Sequence, residues 1–199
     1  MYIYGAGGHS KVVFHILKKN YKYKNVTFVD DKKKGLFYEH KIISFNNYNK
    51  IKSKKNIHIA IGDCNKRKNI FNKLNIRTNK LITIIEKDSF IYETAKISHG
   101  CFIAPKSIIG PNAFIGISSI INHGAIIDHD VQIGDFAHIA PGSVIGGEVT
   151  IGKSTLVGSN SVILPGLTIG NNVIIGSGSV VTKNLNNNIK VFGNPAKKK

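Results

Sequence analysis

The chain has no tryptophan, one methionine, five prolines and two cysteines in 199 residues. Cys64 and Cys101 cannot build a disulfide framework, and they lie in no metal-binding spacing, so no metal site is expected. No apolar run reaches the roughly 18 residues that a membrane-spanning helix needs, so no membrane insertion is expected. The start "MYIYGAGGHS" has no basic-then-apolar leader, and the expected location is the reducing cytoplasm. Acidic residues are also scarce, 11 against 28 Lys and Arg, for a net charge of +17. Most of that excess, +15, falls in residues 1–84. A basic half suits an anionic partner, yet scattered lysines also make an ordinary solvated surface. Nucleic acid would call for a basic stripe with aromatic stacking platforms. Neither is present, so no nucleic-acid partner is expected, and the charge points at most to a phosphorylated small molecule.

What is present is a repeat. From Ile85 an aliphatic residue returns every six positions through Ile91, Ile97, Ile103 and onward to Ile175 and Val181, 17 times without a miss. The position four residues later is mostly small, as at Ala95, Cys101, Ser107 and Ala113. A helix needs apolar residues every three or four positions, and a flat half-buried strand every two. A period of six fits short strands joined by tight turns and wound into a three-sided prism, with one hexapeptide per side and three per coil. Residues 85–181 are therefore expected to form a parallel β-helix of a little over five coils, each covering its neighbours.

Residues 1–84 follow different rules. "YIY" (2–4), "VTFV" (26–29) and "IHIAIG" (57–62) read as strands. "KVVFHILKK" (11–19) and "CNKRKNIFNKL" (64–74) read as helices, and "LITII" (81–85) leads into the prism. This order implies a small parallel α/β domain over 1–84, followed by an all-β domain over 85–199 that ends in a C-terminal tail.

Two places carry chemistry. "GAGGHS" (5–10) follows a strand and opens a helix, so backbone N–H groups and a positive helix end face a phosphate. Asp30 closes the next strand, near where a ribose-binding acid belongs. The third glycine of the dinucleotide fingerprint is replaced by Ser10, which favours a mononucleotide diphosphate over a redox cofactor. A tight turn with no ligand is the plainer alternative. In the prism, His99, His123 and His129 share an outward slot. Asp128 and Asp130 flank His129, and a carboxylate beside an imidazole fixes its tautomer and stabilises the imidazolium that a general base forms. His138 follows half a coil later, so the two rings point in nearly opposite directions on one prism. Prisms associated around a three-fold axis would bring His129 of one copy to His138 of the next.

The hexapeptide run and "IDHDVQIGDFAHIAPGSVIGGEVTIG" (127–152) resemble the hexapeptide-repeat acyltransferases with a left-handed parallel β-helix. "IYGAGGHSKVV", "FVDDKKKG", "IAIGD" and the tail "VFGNPAKKK" narrow the resemblance to bacterial N-acetyltransferases of UDP-4-amino-sugars in glycan biosynthesis, with sialic acid O-acetyltransferases as siblings. The left hand and the small Rossmann-like, nucleotide-sugar-binding N-terminal domain are what the resemblance implies, as are acetyl-CoA as co-substrate and a homotrimer with sites between prisms. It also implies residue roles. His129 is the general base and Asp130 the acid beside it, where the family usually has Glu. His138 contacts the thioester end of acetyl-CoA. Gly147, Ser159 and Ser177 follow the coenzyme channel, and Asn122 lines the sugar pocket. Gly7, Gly8 and His9 form the phosphate turn. Asp30 and Asp31 face the uridine and ribose, with Gly62 beside them and Lys32 near the diphosphate.

Other readings stay open at this point. O-acetylation of sialic acid would use the same scaffold and base. A non-catalytic β-helix scaffold would have no use for an acid–histidine pair. A zinc-dependent carbonic anhydrase on this helix would need a histidine spacing that is absent here.

Overall fold

The computed structural model describes residues 1–21, 23, 25–53, 55–74 and 79–199, and the chain divides into two compact units, Met1–Ile84 and Ile85–Lys199.

The first unit is one six-stranded sheet with helices. β1 (Tyr2–Tyr4) lies between β2 (Thr27–Val29) and β5 (Lys55–Ile59), both parallel to it. β4 (His40–Ile43) extends the sheet beyond β2, and β6 (Asn79–Leu81) extends it beyond β5. β3 (Leu36–Phe37) is antiparallel to β4 at the edge. α1 (Gly8–Asn20) connects β1 to β2 and α3 (Cys64–Lys73) follows β5, while α2 (Phe45–Asn49) is a short turn of helix. α1 buries Val13, Phe14, Ile16 and Leu17, the one-sided spacing that marks an amphipathic helix. It starts at Gly8, ahead of the expected Lys11.

The β3–β4 hairpin escaped the sequence reading for a physical reason. Its two turn residues, Tyr38 and Glu39, have φ of 49° and 65°. Such a turn is normally written Asn-Gly or Asp-Gly, and Tyr-Glu carries no such signal. Similarly, the strand expected over 57–62 stops at Ile59, because 60–62 turn away into a loop.

The second unit is the prism. Seventeen two-residue strands run from Ile84–Ile85 to Val180–Val181, and each recurring aliphatic residue is the second member of its strand. The strands stack into three parallel sheets, so the expected parallel β-helix is what the chain forms. The first face holds Phe102–Ile103, Ile120–Ile121, His138–Ile139, Leu156–Val157 and Ile174–Ile175, each one coil after the last. The second holds Phe90–Ile91, Ile108–Ile109, Ile126–Ile127, Val144–Ile145, Val162–Ile163 and Val180–Val181. The third holds Lys96–Ile97, Phe114–Ile115, Gln132–Ile133, Thr150–Ile151 and Thr168–Ile169. The first face is closed by Lys190–Phe192 and the antiparallel Lys197–Lys198.

Inside, the aliphatic column from Ile103 to Val181 is almost wholly buried. Burying an Ile or Val side chain is worth about 1.5–3 kcal/mol, and the repeat gains it in every hexapeptide. The small slot has its own task. Ser119, Ser143, Thr155 and Ser161 each donate a hydroxyl to a glycine carbonyl of the next coil, at 2.7–2.9 Å. These four hydroxyls and corner carbonyls are thus paired between coils, as a dry interior favours.

Candidate active site

Two sets of residues stand out, one in each unit.

In the first unit, the loops after β1, β2 and β5 enclose a cavity of about 420 Å³ lined by Gly5, Gly7, Gly8, His9, Asp30, Asp31, Lys32 and Gly62, among others. These loops leave the carboxyl ends of parallel strands on either side of β1, where the sheet order reverses. Open α/β sheets place ligands at such a point. Every N-terminal site position expected from the sequence lines this one cavity.

Gly5 has φ of +107°, and a Cβ there would sit 3.0 Å from the Ala60 carbonyl oxygen. Only glycine fits. Gly7 and Gly8 are different, since a Cβ on either would meet nothing within 4 Å. Their bareness keeps the cavity floor open rather than relieving a clash. Gly7 caps α1 without a side-chain hydrogen bond, and the first turn holds no acid, so no carboxylate of its own offsets the positive end of this helix.

Asp30 is engaged with the backbone. One carboxylate oxygen accepts from Ala6 N at 2.9 Å, and the other from Lys32 N at 2.9 Å and Lys33 N at 3.1 Å. Lys33 Nζ returns a bond to the Ala6 carbonyl at 2.7 Å. Asp30 therefore ties the glycine turn to the loop after β2. Asp31 accepts from Phe45 N at 2.8 Å and from the Tyr4 hydroxyl at 3.4 Å. Burial, then the Asp31 charge, push the Tyr4 hydroxyl up to about 12, so it stays protonated and donating. The sequence reading did not include Tyr4, Ala60 or Lys66 in this cavity. Only the fold brings the ends of three strands together.

In the prism, His129 sits in the turn between the second and third faces. Its Nδ1 lies 2.9 Å from Asp130 Oδ2. Its backbone N–H donates to Asp128 Oδ1 at 2.7 Å. The hydrogen bond to Asp130, with the charges of Asp128, Asp130 and Glu148 behind it, raises the affinity of the imidazole for a proton, against some desolvation. Asp130 is held below the usual carboxylate range by His129 first and by Asn112 second. Gly147, one coil on, lies against the Nε2 edge of the ring, and a Cβ there would crowd Nε2 and come within 2.6 Å of Cε1.

His138 lies on the first face, opposite that corner. Its Nε2 is 3.2 Å from Asn122 Nδ2, and Asn122 Oδ1 in turn faces His123 N at 2.9 Å and His123 Nδ1 at 2.7 Å. An amide nitrogen only donates, so His138 Nε2 accepts and its proton is on Nδ1. Ser159 and Ser177 stack one coil apart on the corner that carries Asn122 and His123. The turns there are linked, with Gly142 N donating to the His123 carbonyl at 2.9 Å and Gly178 N to the Ser159 carbonyl at 2.8 Å. One prism thus groups His129, Asp130 and Gly147 at one corner, and His138, Asn122, Ser159 and Ser177 along another part of its surface.

Known proteins share this architecture. The PglD N-terminal domain profile matches residues 1–74, the bacterial transferase hexapeptide (six repeats) profile matches 148–183, and the GMPPB C-terminal domain profile matches 85–163. The acetyltransferase domain of PglB from Neisseria gonorrhoeae, in complex with acetyl coenzyme A, is 27% identical, covering 100% of this chain and 98% of that one, with a TM-score of 0.92. A histidine-to-asparagine variant of perosamine N-acetyltransferase from Caulobacter crescentus, in complex with CoA and GDP-perosamine, is also 27% identical, covering 100% and 95%, with a TM-score of 0.91. WeeI from Acinetobacter baumannii is 25% identical over 100% and 98%, with a TM-score of 0.94.

The fold is that of a hexapeptide-repeat β-helix behind a small α/β unit, and the solved structures that it resembles over its whole length are acetyltransferases. More narrowly, the chain is similar to bacterial sugar N-acetyltransferases across its whole length, as the sequence motifs had implied. Among the described residues, no helix is long and apolar enough to cross a membrane, and no group of three or more His, Cys, Asp or Glu is placed to hold a metal ion.

Proposed function

We propose that this protein transfers the acetyl group of acetyl-CoA to the amine of a nucleotide-linked amino sugar, UDP-linked by the sequence resemblance, in the cytoplasm and in the service of bacterial glycan synthesis. The observation that carries the reading is the His129–Asp130 pair. Its Nδ1 is engaged by the carboxylate at 2.9 Å, which presents Nε2 as the proton acceptor. The amine nitrogen attacks the thioester carbonyl, its proton passes to His129 Nε2, the carbon–sulfur bond breaks, and the thiolate leaving group takes up a proton. A positioned base of this kind supplies about 10²–10⁴ in rate, and holding both substrates in one cleft supplies more.

In this reading residues 1–84 bind the nucleotide sugar and 85–199 carry out the transfer. Gly7, Gly8 and His9 receive the diphosphate beside Lys32, and Asp30, Asp31 and Gly62 shape the nucleoside end. Asn122 faces the sugar. His138, Gly147, Ser159 and Ser177 follow the coenzyme. The complete site requires a homotrimer. The second face supports it, since its outward column reads Phe90, Ile108, Ile126, Val144, Val162, Val180, with Phe90 60% exposed and Ile108 and Ile126 each 37%. The third face instead shows Lys96, Gln132, Thr150 and Thr168, with Phe114 as its apolar member. An apolar column of this length on only some faces marks an interface. Similar proteins include one solved with GDP-perosamine and one with acetyl coenzyme A.

The test is CoA release with UDP-, dTDP-, GDP- and CMP-sugars, for the native chain and His129→Ala. A folded His129→Ala trimer that turns over normally refutes the base. Acetylation of a sugar hydroxyl in place of an amine would point instead to the O-acetyltransferase reading.

A further inference from the structure

The turn that carries Asp130 belongs to a column. Thr94, Asn112, Asp130 and Glu148 occupy the same slot of successive coils. Asn112, Asp130 and Glu148 have φ of 59°, 59° and 60°. Asn and Asp accept this left-handed region more readily than other residues with a Cβ. Neighbouring coils therefore present these side chains in matching geometry.

In that column Asn112 is held at its backbone, its N–H donating to Thr94 Oγ1 at 2.9 Å. Its side-chain Nδ2 donates to Asp130 Oδ1 at 3.1 Å, while Asp130 Oδ2 faces His129 Nδ1 at 2.9 Å. Asp130 N donates to the Pro111 carbonyl at 2.9 Å, which fixes the two turns against each other. Each carboxylate oxygen has its own partner.

We propose that Asn112 is a positioning residue for the acyl transfer, fixing the Asp130 carboxylate in the rotamer that orients His129. The geometry explains why a short aspartate suffices. An exposed Asp side chain turns freely about two bonds, and one hydrogen bond to a rotatable histidine does not fix it. A second bond, from an amide anchored one coil away, does so. The inference rests on the proposed role of His129, and its test reads the imidazole directly, so the two can fail separately.

The experiment is a proton NMR titration of the His129 imidazole in the full-length protein, for the native chain, Asn112→Gly, Asp130→Ala and the double variant. Glycine suits the left-handed turn and removes only the amide. Asn112→Ser serves as a second variant, because its hydroxyl stops one bond short of the amide nitrogen. The charged groups facing the ring are Asp128, Asp130 and Glu148, and none of them changes in Asn112→Gly.

If Asn112 positions Asp130, the His129 midpoint falls toward the ordinary histidine value in Asn112→Gly. In the double variant it equals that of Asp130→Ala alone, because Asn112 then has nothing to act through. CoA release falls about tenfold in kcat with KM for both substrates held, a modest share of what a positioned base supplies. Two results overturn the proposal. An unchanged midpoint makes Asn112 merely structural. A raised midpoint makes it a donor that weakens the carboxylate, since removing such a donor leaves a stronger acceptor for His129. If His129→Ala keeps full turnover while Asn112→Gly still lowers the midpoint, the catalytic reading fails and the positioning stands.

Discussion

The imidazole of His129 rests on the backbone of Gly147, with no room between them for a methyl group. The two residues are one coil apart, so the repeat itself sets this contact. The atoms in the way are the tip of a side chain that can rotate, so Gly147→Ala is relieved by moving the ring. Stability is expected to change little, while the ring loses its place beside Asp130. A misplacement of about 1 Å at a reacting group costs on the order of 10² in rate. The check is kcat against melting temperature. A variant with native turnover would show that the ring does not need this seat.

The pH profile follows from the Asp130 contact. His129 acts as a base only when neutral, and its proton affinity is raised, so activity should rise with pH through a midpoint above the ordinary histidine value of about 6.5. In Asp130→Ala the acid limb of kcat/KM should move to lower pH and the plateau should fall. A limb that stays in place would show that it belongs to another group.

The apolar second face predicts assembly. Ile126→Glu puts a charge in the middle of the outward column, between Ile108 and Val144. Its own prism should hold, because the inward neighbour Ile127 is untouched. Light scattering should show trimer for the native chain and smaller species for the variant. Activity should fall with the trimer, as His129 and His138 would no longer share a cleft. A native monomer with full activity would defeat the shared-site reading.

The open floor of the N-terminal cavity can be filled. Gly8→Ala adds a methyl group that meets nothing within 4 Å. At a helix position, replacing glycine by alanine stabilises by about 0.4–1 kcal/mol where the backbone allows it. The melting temperature is expected to hold or rise. KM for the nucleotide sugar should rise about tenfold, equivalent to about 1.4 kcal/mol, with KM for acetyl-CoA unchanged. If both values held, the diphosphate would have to bind elsewhere.

The β-helix was legible because its signal is local and repeated. Each hexapeptide states the same rule, aliphatic residue inward and small residue at the corner, and the buried column from Ile103 to Val181 obeys it. The glycine turn and the acid–histidine pair were also legible, because the residues that matter there are neighbours in sequence. The β3–β4 hairpin was not, since Tyr38 and Glu39 lack turn chemistry. Asn112 was missed too, although it lies one coil before Asp130 and the repeat leads straight to it.

The order of residues alone thus determined the winding of the prism, its inward column and the pairing of His129 with an adjacent carboxylate. Tertiary structure alone decided which distant groups complete each site. Asn112 and Gly147 meet the His129–Asp130 pair because coils stack at a fixed rise, and three strand ends enclose the cavity because the sheet reverses its order beside β1. Periodicity and adjacency are written along one dimension, whereas contact between separated segments exists only once burial of the aliphatic core has set the distances between them.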